Sequence, residues 1–240
     1  MKGSKRQTGS LGGTVPMVPS FTVAAHELKA PLSLIRQLSL HLESGEVSAK
    51  EAQQIAQRIT LSSERALRLT TDITKSARLE GGLFELEPLN PAVLCQEVAD
   101  ELAPLYEAHG RLIVAKHRAQ SLLGLANRDL LRRILLNFAD NALYYSEGNN
   151  PVTITASTRS HGSIVRLGVR DFGPALPAHM RKDVGGTAAP LHNRPGSSGM
   201  GVYIARRFAE AMNATVGVIS HRDGATFYVD ISSSTQLRLL

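Results

Sequence analysis

At 240 residues and 42% hydrophobic composition, the chain can fill the core of one large domain or two modest ones. No apolar run nears the ~18 residues that would span a bilayer, and MKGSKRQTGSLGGTVPMVPS has basic residues without the apolar stretch of a signal peptide. One cysteine, Cys95, excludes an internal disulfide and suits a reducing cytoplasm. The net charge of +6 suits an anionic ligand, but scattered basic residues, 5% aromatics and no Trp argue against a nucleic-acid surface.

Residues 1–19 are rich in Gly, Ser, Thr and Pro and read as a disordered tail or linker. The stretch FTVAAHELKAPLSLI then opens a helix predicted to reach Glu43. Phe21, Leu28, Ile35 and Leu42 recur every seven residues, and Ala24, Pro31 and Leu38 supply the second apolar line of a heptad. With Phe21 at position a, His26 falls at f, farthest from the seam, beside Glu27. Pro31 is expected to bend the helix near Glu27. Ser48 followed by Glu51 is a capping-box pattern that opens a second helix, whose seam is Ala52, Ile55, Ile59, Ser62, Ala66, Leu69 and Ile73. Two such helices make a hairpin over 20–82 that cannot bury both seams alone. A second copy, forming a four-helix bundle, is the expected solution, and docking on the rest of the chain is the less favoured one. Gly81-Gly82 marks the boundary.

From residue 83 the pattern becomes mixed α and β. Asn90-Pro91 caps a helix ending near Gly110; strands are predicted at Leu112–Ala115 and Leu122–Ala126; Asp129 opens a helix through Tyr145. Val152, Ile154 and Ala156 alternate with polar residues, as do Val165, Leu167 and Val169, with Asp171 in phase at the strand end. A Gly-rich loop precedes a helix from Met200 to Met212, and strands near Val216–Ile219 and Thr226–Ile231 close a unit over 83–233, leaving 234–240 as a tail. Helices against mostly antiparallel strands predict a two-layer α/β sandwich.

Three constellations in this half carry chemistry. In LLNFADNALYYS, Asn137 and Asn141 share one helical face, where amide oxygens can serve a hard cation that takes its other ligands from phosphates and water. In VRDFGPALP, Asp171 faces inward and needs a donor; adenine's exocyclic amine is one, whereas guanine offers a carbonyl there. Gly173 lets the chain turn close to a ligand. In RPGSSGMGVYIARRF, a glycine-rich loop runs into a helix, and its free amides with the helix dipole make an anion site. No Gly-Lys-Ser/Thr follows, so it is not a Walker loop.

In this order the three resemble the N box and two glycine boxes of the sensor histidine kinases, whose ATP-binding domain has the Bergerat fold shared with gyrase, Hsp90 and MutL proteins. HELKAPL resembles the family's H box and GATFYVDI its closing strand. The resemblance covers about Phe21 to Ile231. It implies a dimerisation and histidine-phosphotransfer hairpin followed by a Bergerat-type catalytic domain, with ATP and Mg²⁺ as cofactors. It implies that His26 attacks the γ-phosphate and that Glu27 orients or deprotonates it. Asn137 and Asn141 would hold the metal and phosphates, with Asn137 as the Mg²⁺ ligand; Tyr145 would lie along adenine and Asp171 would take its amine. Gly173, Gly199, Met200 and Gly201 would shape the pocket and lid, and Thr226 would close it. The implied partners are a second copy and a response-regulator receiver domain, with neither nucleic acid nor a membrane segment in this chain. The implied location is cytoplasmic, or membrane-associated where a sensor region precedes Met1.

The departures from the family pattern shape the expectations. Tyr144 stands where a Lys is usual, leaving Arg181, Lys182 and Arg194 as candidates to neutralise phosphate. Ala175 replaces a glycine, and PAHMRKDVGGTAAPLHN has no aromatic residue. Ala30 stands where the family often has Thr or Asn to orient a hydrolytic water, which implies little phosphatase activity. An active kinase is the expected function; the alternative is a nucleotide-binding or inactive scaffold that docks a regulator or another kinase.

Overall fold

The heptads build a hairpin of two helices, α1 over Phe21–Glu43 and α2 over Ala49–Arg78. The computed structural model describes residues 21–78, 84–117, 123–175 and 200–234. Residues 1–20, the Gly81-Gly82 boundary, Gly199, the cations Arg181, Lys182 and Arg194, and residues 235–240 lie outside them. Helix α1 runs unbroken through Pro31. The connection turns at Gly45, whose positive φ of 71° suits a residue without a side chain. The Ser48 hydroxyl accepts the Glu51 N–H at 3.3 Å and caps α2, as its spacing predicted.

The apolar stripe of α2 has two destinations. Ile55 and Ala66 are buried, as is Leu38 of α1. Leu69 and Ile73, with Leu61, instead pack against the core of the α/β unit, and Ala24 of α1 joins them. Docking on the rest of the chain, the less favoured expectation, therefore closes part of the seam.

The remaining elements are β1 (Glu87–Leu89), α3 (Pro91–Ala108), β2 (Ile113–His117), β3 (Gly124–Ala126), α4 (Arg128–Tyr145), β4 (Val152–Arg159), β5 (Ile164–Arg170), α5 (Met200–Glu210), β6 (Thr215–His221) and β7 (Gly224–Ser232). Strands β1 and β3 form a small antiparallel ribbon; the main sheet runs β2-β4-β5-β7-β6, parallel only between β2 and β4. Asn90 caps α3 as expected, its side chain accepting from Ala92 N–H. Helix α4 is capped by Asn127, two residues before the predicted Asp129, through the Leu130 N–H at 3.1 Å.

The three helices cover one face of the sheet. Val98 and Leu102 of α3, Ile134 and Phe138 of α4, and Ile204 and Phe208 of α5 meet Ile154, Leu167 and Val229 in one buried cluster. Phe138 tilts against Phe227 with ring centroids 5.8 Å apart; truncating so deeply buried a ring costs about 3–5 kcal/mol. The other face is polar, with Arg166 donating two parallel hydrogen bonds to the Asp230 carboxylate at 2.7 Å and lying 3.5 Å over the Tyr228 ring. This is the predicted two-layer sandwich.

Candidate functional site

Two elements fix the asparagines. Helix α4 is locked to α3 by the buried Tyr106 hydroxyl, which donates to the Ala139 carbonyl at 2.7 Å, midway between Asn137 and Asn141. Burial pushes that hydroxyl well above its ordinary range, so it stays a donor. Both asparagines then face the first turn of α5. A Cβ built on Gly201 would stand 3.5 Å from Asn137 Oδ1, 3.6 Å from Asn141 Nδ2 and 3.8 Å from Asn141 Oδ1. Any side chain at 201 would occupy the space the two amides share. That open cradle, lined by amide oxygens, fits a hard cation and phosphate oxygens.

Asp171 sits at the end of β5 and is 5% exposed. Its Oδ1 accepts the Gly173 N–H at 3.2 Å and the Ala225 N–H at 3.1 Å. Its backbone N–H donates to the Ala225 carbonyl at 2.9 Å. Strand β7 thus grips Asp171 through both main chain and side chain. The turn after it is stitched to the end of α4: Phe172 N–H donates to Ser146 Oγ at 3.4 Å, and Glu147 N–H to the Phe172 carbonyl at 2.8 Å. Gly173 is required there, because a Cβ would lie 2.1 Å from the Tyr145 carbonyl oxygen. Tyr145 is half-buried beside it, edge-on to the exposed Tyr144 at 4.9 Å.

The remaining predicted residues divide. Met200 is buried in the core at the start of α5. Ala225, Phe227 and Val229 point inward, so the alternation sends Thr226 to the polar face, where its hydroxyl bonds His221 Nε2 at 2.9 Å. The residue that reaches Asp171 is its neighbour Ala225, through a main-chain amide. Strict alternation from Phe227 would have found it. His26 lies in the second turn of α1, its side chain outside the described residues; Glu27 is half-buried. Ser146 was also missed, since it acts through a turn rather than a motif.

Comparison with known proteins bears on the fold that carries these residues. Residues 126–235 match the family model described as histidine kinase-, DNA gyrase B- and HSP90-like ATPase. The histidine protein kinase SaeS of Staphylococcus epidermidis is 28% identical over 213 residues, covering 84% of this chain and 59% of SaeS. Full-length ShkA, solved in complex with AMPPNP, is 26% identical with a TM-score of 0.61, covering 91% of this chain and 47% of ShkA. The histidine kinase ThkA, solved in complex with the response regulator TrrA, shares the fold at 17% identity, with a TM-score of 0.60 over 90% of this chain and 62% of that one. The chain thus spans about half the length of its relatives. The sandwich carrying Asn137, Asn141 and Asp171 is a Bergerat-type ATPase fold, and the chain is similar in sequence to histidine kinases over most of its length.

Proposed function

We propose that this chain is an ATP-dependent protein-histidine kinase core that phosphorylates itself on His26 and passes the phosphoryl group to an aspartate of a response-regulator receiver domain. The observation that carries this reading is the meeting of Asn137, Asn141 and Gly201 beside α5, in a chain whose first helix bears His26 and Glu27. Asp171 reads the adenine amine, and Tyr145 flanks the base. Mg²⁺, when bound, neutralises phosphate charge, and Asn137 is the residue that would hold it.

The imidazole nitrogen of His26 forms the new N–P bond as the bond from the γ-phosphorus to its bridging oxygen breaks. ADP leaves with that electron pair, and Glu27 orients the ring and takes its proton. Catalysis of this type is mainly positioning and charge neutralisation. The hairpin over 20–82 serves dimerisation and phosphotransfer, and the unit over 83–233 serves ATP. Exposed Leu32, Leu40 and Leu67, the last 68% accessible, supply apolar surface on the hairpin for a second copy. Among the described residues no helix is long and apolar enough to cross a membrane.

The test is incubation with Mg·ATP. An acid-labile, base-stable phosphate on the chain supports the kinase. Nucleotide binding with no transferable phosphate supports the scaffold instead.

A further inference from the structure

Helix α2 of the hairpin meets helix α4 of the sandwich, and their facing residues alternate in charge. Arg68 faces Asp140 at 3.9 Å, Asp72 pairs with Arg133, and Lys75 pairs with Asp129. The residue numbers rise on one helix as they fall on the other, so the two run antiparallel with complementary signs at each rung. The middle rung has a third member. Asp72 Oδ2 also accepts from Asn137 Nδ2 at 3.4 Å, and Asp72 is 5% exposed.

A carboxylate accepts and does not donate, so only the NH₂ end of the Asn137 amide can face Asp72. The carbonyl end is thereby turned away, and it is Oδ1 that lies 3.5 Å from the Cβ position of Gly201. We propose that Asp72 is a positioning residue for the metal–phosphate site, setting which end of Asn137 the hairpin-docked ATPase domain presents to its ligand. The inference rests on Asn137 serving that site. It makes the docking of α2 on α4 part of the site's construction, since Asp72 reaches Asn137 only from the hairpin. A carboxylate that fixes a ligand's orientation from behind acts like the outer partners of metal-binding side chains.

The experiment measures ATP affinity of the full chain by calorimetry, with Mg²⁺ and with EDTA. Loss of such an outer partner typically weakens metal affinity roughly 10–100-fold. Asp72→Ala should therefore weaken Mg·ATP about tenfold or more and leave metal-free ATP within about twofold. Asp72→Asn, which keeps an acceptor oxygen for Asn137, should retain most of the Mg²⁺ effect and guards against a misfolded alanine variant. Lys75→Ala removes a rung that does not touch Asn137 and should change neither affinity. Equal losses in Mg²⁺ and EDTA, or the same loss in Lys75→Ala, would reduce Asp72 to a cross-brace and overturn the assignment. A native chain that binds no Mg·ATP overturns the kinase reading, and this inference with it.

Discussion

Asp171 and Ala225, 54 residues apart in sequence, are joined by a 3.1 Å hydrogen bond from the Ala225 N–H to the carboxylate proposed to read the base. A second main-chain donor, Gly173 N–H, meets the same oxygen. Two donors on one oxygen decide how a substituted side chain would orient. In Asp171→Asn the amide oxygen should turn to those donors, so its NH₂ faces the ligand. That end repels the adenine amine and suits the guanine carbonyl. ATP binding should weaken by about 1–3 kcal/mol, the cost of an unsatisfied buried group, while GTP binding holds or improves. Calorimetry with both nucleotides measures this; an unchanged preference for ATP would show that Asp171 does not select the base.

The turn between β6 and β7 presses on the same carboxylate. A Cβ on Gly224 would stand 2.3 Å from the Asp171 carbonyl oxygen and 2.7 Å from its Oδ1, at a φ of 127°. Arg170 holds the turn from the other side, bonding Asp223 at 2.6 Å. Gly224→Ala should cost about 1–3 kcal/mol through strain and clash and weaken ATP binding as well. Gly148→Ala, at φ 69° with nothing within 4 Å, meets backbone strain alone and should leave ATP affinity unchanged. Thermal melts with and without ATP separate the two. Equal effects on nucleotide binding would show that Gly224 does not support Asp171.

Much of this site was legible because its residues announce themselves by period. Val165, Leu167, Val169 and Asp171 alternate, and all four are buried. The four-residue step from Asn137 to Asn141 put both beside Gly201. What was not legible depends on the meeting of distant segments. Thr226 was named from its match to the closing strand, and the Ala225 contact to Asp171 runs through a backbone amide, which no side-chain motif displays. Leu69 and Ile73 fit a heptad seam equally well whether their partner is a second copy or the sandwich, and periodicity does not distinguish these. Asp72 sits outside every motif, and its contacts with Arg133 and Asn137 depend on where the hairpin meets α4.

Ala30 lies exposed on α1, one helical turn after His26. A side chain four residues on shares the histidine's face and could hold a water beside an aspartyl phosphate, but a methyl group offers it no hydrogen bond. The phosphorylated regulator, purified free of ATP, should keep its half-life when this chain is added. Ala30→Thr should shorten it. Rapid dephosphorylation by the native chain would mean another group positions the water.

The most direct measurement is transfer of the γ-phosphate of labelled ATP to the native chain and to His26→Gln. The native chain should gain acid-labile, base-stable label. His26→Gln should gain none while binding ATP with unchanged affinity, since Asn137, Asn141 and Asp171 are untouched. Label that persists in His26→Gln would contradict the account and move the search for the acceptor to His41, the other histidine of α1.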